Sequence, residues 1–182
     1  RVKLFRAPLS TVWARATSLP RANWGMAIAH AGVGLMVMGI AGVTAWQTEV
    51  IRTAKAGDAF DVAGYRFVFK GASRAEGANY FAVRGTFEVY RDDRLYATLE
   101  PERRWFAVAG MATTETAIKT NLLADLYATI GDPEAPTPAG NMPAFLAPTG
   151  ADTAWTVRIY HNPLVPWIWL GAAAMLDRKS VV

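Results

Sequence analysis

The chain changes its hydrophobic rhythm once, and sharply. From Trp24 to Trp46 (WGMAIAHAGVGLMVMGIAGVTAW) it runs apolar without a formal charge. At the helical rise that stretch is about 34 Å long, enough to cross a bilayer. After Trp46 the period drops to two. Tyr65, Phe67 and Phe69 alternate with Arg66, Val68 and Lys70. Val83, Gly85, Phe87 and Val89 alternate with Arg84, Thr86, Glu88 and Tyr90. Asp92-Asp93 then turns the chain into Leu95–Leu99, and short segments follow at Arg103–Val108, Met111–Ile118, Leu122–Ile130 and Trp155–Tyr160. The Leu- and Ala-rich segment Leu122–Ile130 fits a strand or a short helix. Strands at this spacing predict a small antiparallel β barrel or sandwich. A second apolar stretch, Leu164–Leu176, has 13 residues. As a helix it is about 20 Å long, short of the roughly 30 Å of hydrocarbon. The expected fold class is therefore mixed membrane/β: one transmembrane helix, an antiparallel β domain and a short C-terminal membrane helix.

The expected order is a basic segment (1–23) carrying a possible interfacial helix ended by Pro20, the span (24–46), the β domain (47–162), the short membrane helix (163–176) and a tail (177–182). A Pro-rich loop at 132–153 reads as an insertion without chemical importance. The short last helix and the absence of an initiator Met are read as marks of a piece of something larger. Charge sets the topology. Arg1, Lys3, Arg6, Arg15 and Arg21 face no acid in 1–23, and Arg178-Lys179 sits in the tail. Positive ends stay inside, which puts the β domain outside, in the periplasm if the source is bacterial. Between Gln47 and Asn162 there are 12 basic and 14 acidic residues, so the β domain lacks the basic face that nucleic acid needs. Zero cysteines exclude disulfides, thiolate catalysis and Cys-ligated metals. There is no P-loop, dinucleotide fingerprint, His/Glu zinc helix or CxxCH, and no Ser in a nucleophile elbow.

One residue stands out chemically. His30 lies inside the apolar run, where an ionisable group is costly and marks a functional site by default. A haem iron is a common reason for an imidazole there. The alternative is a hydrogen-bonded polar residue holding two helices together. Gly25, Gly32 and Gly39 form a seven-residue stripe that admits a close helix partner, with His30 roughly opposite and Gly34 one turn along its own side. His161, the second histidine, reads either as a further haem ligand or as an interfacial loop residue. Trp24, Trp46, Trp155, Trp167 and Trp169 suit a membrane–water belt or an aromatic haem platform. Glu115 reads as a proton-carrying or partner-binding group, or as an ordinary cross-strand partner.

In order along the chain, LPRANWGMAIAHAGVGLMVMGIA, GYRFVF, NYFAVRG, EPERRWF, MATTETAI, LLADLYATIGD and WTVRIYHNPLVPWIWLGA resemble the late span, last external domain and last helix of the CcmF/NrfE family. The resemblance covers nearly the whole chain. It implies a haem lyase subunit of cytochrome c maturation, attaching haem to the CxxCH thiols of apocytochrome c. The implied partners are a periplasmic haem chaperone, a subunit that handles the apocytochrome thiols, apocytochrome c itself and membrane lipid. The implied cofactor is haem b in the bacterial inner membrane, with His30 as one axial ligand and the other supplied by another helix. The family's tryptophan-rich haem-handling segment and its two external histidines are absent, so this stretch alone is expected to be inactive. The family position of His161 is usually aromatic, which argues against a ligand there.

Overall fold

The computed structural model describes residues 8–134, 143–147, 150 and 152–176. The first seven residues, the tail from 177 onward and Pro136, Pro138 and Pro148 lie outside the described residues. Helix α1 covers Leu9–Thr17, and Pro20 serves as the extended residue that opens α2. Helix α2 runs Arg21–Trp46 without a charged residue after Arg21. At 26 residues it is long and apolar enough to cross a membrane. The apolar helix α3, Val165–Leu176, has 12 residues.

Between α2 and α3 lie ten strands. They are β1 (Thr48–Ala54), β2 (Ala59–Val62), β3 (Tyr65–Glu76), β4 (Phe81–Arg91), β5 (Arg94–Leu99), β6 (Glu102–Phe106), β7 (Met111–Glu115), β8 (Ala117–Thr120), β9 (Ala124–Pro133) and β10 (Trp155–Pro163). One sheet has the order β1-β10-β9-β8. The other has β2-β3-β4-β6-β7, with β5 sharing the β4 edge that β6 uses farther along. All pairings are antiparallel. The two sheets form a sandwich rather than a closed barrel. Leu122–Ile130 resolves as strand β9, because Leu126, Ala128 and Ile130 are all fully buried at period two. β1 and β2 are additions to the strands expected from alternation.

The core takes Phe67, Phe69, Phe87 and Val89 from one sheet and Leu126, Ile130, Val157 and Ile159 from the other. Asp92 and Asp93 have φ of 50° and 57°, the left-handed pair that closes a tight hairpin with right-handed strand twist. The Pro-rich stretch is not all peripheral. Its short 3-10 turn, Ala144–Leu146, sends Phe145 (2% exposed) and Leu146 into the core. Arg74 Nη2 donates to the Leu146 carbonyl at 2.6 Å, and the Arg103 guanidinium lies 5.0 Å over the Phe145 ring. Trp155 also departs from expectation. It is 3% exposed in the core, paired with Ala54 and Pro133 at the end of β10 away from the helices, and so belongs to no interfacial belt.

The helices meet because the strands do. β1 continues α2, β10 leads into α3, and the two strands pair from Thr48↔His161 to Ala54↔Trp155. Gln47 Nε2 donates to Asn162 Oδ1 at 2.7 Å across the same level. The glycine stripe then closes the contact. Gly25, Gly32, Gly39 and Gly42 are the buried residues of α2. A methyl group on Gly32 would stand 2.7 Å from the Gly171 carbonyl, and one on Gly39 2.7 Å from Ile168 Cγ1. Only glycine admits that approach.

Candidate functional site

Helical spacing puts Met26, His30, Val33, Gly34, Val37 and Ala41 on the face of α2 opposite the glycine stripe. All six are exposed. His30 Nδ1 lies 2.7 Å from the Met26 carbonyl one turn earlier. A carbonyl only accepts, so Nδ1 carries a proton, and in the neutral ring Nε2 keeps its lone pair, directed away from the backbone. A Cβ on Gly34 would meet nothing within 4 Å. The space beside the imidazole is open, and α3 has no part in requiring a glycine there. His30 bonds to its own helix and does not join α2 to α3.

The residues fit a haem ligand in the respects that matter chemically. There is one imidazole whose ring is held by a backbone carbonyl on Nδ1, with a small neighbour beside it in an apolar face. Among the described residues no group of three His, Cys, Asp or Glu is placed to hold a bare metal ion. A haem iron needs only the single imidazole from this chain.

His161 is elsewhere. It pairs with Thr48 in the β1–β10 ladder. From His30 to Trp46 the helix rises roughly 24 Å, so the two histidines do not converge. His161 is a strand residue, not a loop residue. Its ring is 6.3 Å from the Tyr65 ring, and its buried Nδ1 has no hydrogen-bond partner. Burial pushes its pKa below the ordinary histidine value.

Glu115 is a cross-strand residue, opposite Glu102. Its Oε1 lies 3.5 Å from Arg104 Nη1. The group that matters in this network is Glu102, only 5% exposed. Arg84 Nη2 reaches its Oε1 at 2.6 Å and Arg104 Nε its Oε2 at 2.7 Å. Two neighbouring features escape reading by pattern. Asp125 is 5% exposed with Oδ1 unpartnered, on the outward side of β9 beside Tyr127. Burial raises the Tyr127 pKa, and the nearby Asp125 charge adds to the rise. At the end of the sandwich nearest the helices, Asn121 Nδ2 reaches the hydroxyls of Tyr65 (3.4 Å) and Tyr96 (3.2 Å). The only sequence signal for the first is an acid beside the apolar positions that open β9, and for the second an Asn placed for a turn.

Comparison with known proteins adds a consistent pattern. Residues 45–163 match the family model described as CcmF C-terminal beta-sandwich. The chain is 38% identical over 175 residues to the cytochrome c-type biogenesis protein CycK of Bradyrhizobium diazoefficiens, covering 96% of this chain and 24% of that protein. It is 38% identical over 174 residues to the cytochrome c-type biogenesis protein ccl1 of Rhodobacter capsulatus, covering 92% and 24%. A solved structure, Cytochrome c Heme Lyase CcmF, superposes with a TM-score of 0.68 at 20% identity, covering 99% of this chain and 26% of that one. That likeness speaks for the fold. The chain thus spans about a quarter of the length of the curated relatives it matches.

Proposed function

The chain belongs to the CcmF family, and we propose that it works in cytochrome c maturation as the C-terminal part of a haem lyase subunit. In this reading α2 crosses the bacterial inner membrane and offers His30 as an axial ligand to a b-type haem. The β sandwich stands in the periplasm. It docks the haem chaperone, the thiol-handling subunit and apocytochrome c, and carries no catalytic group of its own.

The observation that carries the haem assignment is the His30–Met26 hydrogen bond. It fixes the ring, holds the proton on Nδ1 and leaves Nε2 available on the exposed face. The glycine stripe contributes by pressing α2 against α3, which turns His30 away from its nearest neighbour. Exposed Met26, Val33 and Val37 keep water from the imidazole once lipid or further helices cover them. A haem bound there supplies a one-electron couple, which the family resemblance links to keeping delivered haem reduced. A second protein ligand, where the group takes one, would come from another helix.

Replacing His30 by Ala or by Gln in the protein expressed from its native gene tests this reading. Both are expected to abolish covalent haem on c-type cytochromes at unchanged membrane abundance. Normal maturation with Gln would make His30 a packing residue and the chain a tethered structural module. Deleting 47–162 is expected to abolish capture of the partner proteins, and intact capture would remove the docking role.

A further inference from the structure

The turn between β8 and β9 holds two leucines out into the open, Leu122 (85% exposed) and Leu123 (63% exposed). Exposed leucines on mobile loops are unremarkable, but this turn is built. Asn121 Oδ1 accepts from the backbone N–H groups of Leu123 (2.8 Å) and Ala124 (2.9 Å), and Asn121 N donates to the Ala124 carbonyl at 3.0 Å. The Asn121 amide also anchors on Tyr65 and Tyr96. The side chains are therefore fixed outward by a satisfied backbone.

The turn is also pinned at one level of the molecule. Trp167 Nε1, in the first turn of α3, donates to the Leu122 carbonyl at 2.8 Å. Leu164 N donates to the Leu123 carbonyl at 2.7 Å. Those bonds set both leucines where the chain passes from strand β10 into apolar helix. Exposed Trp46, the last residue of α2, lies two residues before Thr48, the partner of His161, near the same level. Exposed cations stand on the strands behind the turn: Lys119, 5.8 Å from the Tyr96 ring, and Arg91, 5.3 Å from the Tyr65 ring. Asp92 and Asp93 at the neighbouring hairpin offset them, so net charge does not select the partner. The apolar pair does.

We propose that Leu122 and Leu123 form a foot by which the β sandwich seats itself in the interfacial layer of the outer leaflet. The occupant of this surface is lipid. Acyl chains cover the two leucines, and Trp167 and Trp46 lie at the headgroup level, where indoles settle. Three attachments then fix the sandwich to the membrane: α2, α3 and this turn. The inference rests on the proposed membrane crossing of α2, with the shorter α3 packed against it in the same leaflet.

Nitroxide labels on the protein expressed from its native gene, reconstituted in phosphatidylcholine vesicles containing a fifth phosphatidylglycerol, test it. This chain has no cysteine, so Leu122→Cys, Leu123→Cys, Leu170→Cys on α3 and Val108→Cys at the far end of the sandwich label singly within it. The foot predicts that labels at 122 and 123 collide with oxygen more than with a water-soluble nickel chelate, as at 170 and unlike 108. Nickel access at 122 and 123 with oxygen access at 170 overturns the foot and leaves the membrane crossing standing. Shielding from both reagents at 122 and 123 means a protein partner and overturns it too. Nickel access at 170 takes α3 out of the bilayer, and the foot with it.

Discussion

Glu102→Gln separates charge from packing in the sandwich. The Glu102 carboxylate is nearly buried and takes Arg84 on one oxygen and Arg104 on the other, at 2.6 and 2.7 Å. Burial alone pushes its pKa up; hydrogen bonds and charge from Arg104 and Arg84 outweigh that and hold it below the usual 4.5. Each hydrogen bond to a charged group is worth about 1.5–3 kcal/mol. The side chains of Arg84 and Arg104 are 43% and 28% exposed, so both guanidinia rehydrate when the charge is removed. Glutamine also keeps one acceptor. The expected net loss is therefore about 2 kcal/mol, below the 3–5 kcal/mol typical of breaking a fully buried pair. For a domain of this size that lowers Tm by roughly 8 °C. The assay is a thermal melt of the purified protein followed by tryptophan fluorescence, with core residue Trp155 as a reporter. Glu100→Gln is the control: Glu100 is half exposed and 3.8 Å from Arg84, so it should change little. A depressed carboxylate pKa contributes stability that is present above 4.5 and lost as pH falls through the folded value. The gap between wild type and Glu102→Gln should be full at pH 7 and shrink below pH 4.5. Equal melts for the Glu102 and Glu100 variants, or a gap that persists in acid, would mean that the Glu102 charge does not stabilise the sandwich.

Other consequences are as direct. Gly39→Val places a methyl-bearing carbon 2.7 Å from Ile168 Cγ1 and should cost about 1–3 kcal/mol in detergent melts. Gly34→Leu, with nothing within 4 Å, should leave the melt unchanged and reduce haem content on the proposed face. His161 has a lowered pKa from burial, so the unfolded state takes up a proton between 6.5 and the folded value while the folded state does not. Stability should fall as pH drops through that window, and His161→Phe should abolish the fall in melts at pH 7.5 and 5.5. Phe145→Ala should cost about 3–5 kcal/mol, measured by chemical denaturation, if the turn Ala144–Leu146 belongs to the core as its burial indicates.

Alternation made β3 and β4 legible because each buries one face, as Phe67, Phe69, Phe87 and Val89 show; β5 was legible from the Asp92-Asp93 turn before it. β1 was hard to see for the opposite reason. Ile51 is exposed and Arg52 sits among small residues, so its place depends on pairing with β10 rather than on its own pattern. The 3-10 turn was hidden by its composition: prolines and glycines signal a loop, but not that Phe145 reaches back into the core. Trp155 looked interfacial because tryptophans flank both apolar stretches, yet its pairing partners put it at the opposite end. The glycine stripe was readable from spacing alone, since a seven-residue repeat stays on one helical face, and α3 occupies that face. His30 was equally visible as an ionisable group in a charge-free run. Its tautomer was not, because only the distance to Met26 O assigns the proton.

Binding of haem iron by His30 Nε2 is the proposal on which the rest depends. The most direct measurement is a reduced-minus-oxidised absorption spectrum of the protein purified from its own membranes, with His30 intact, replaced by Ala, and replaced by Gln. A b-type haem signal is expected in the first and its loss from both variants at unchanged protein yield. A signal of the same size in either variant would contradict the proposal.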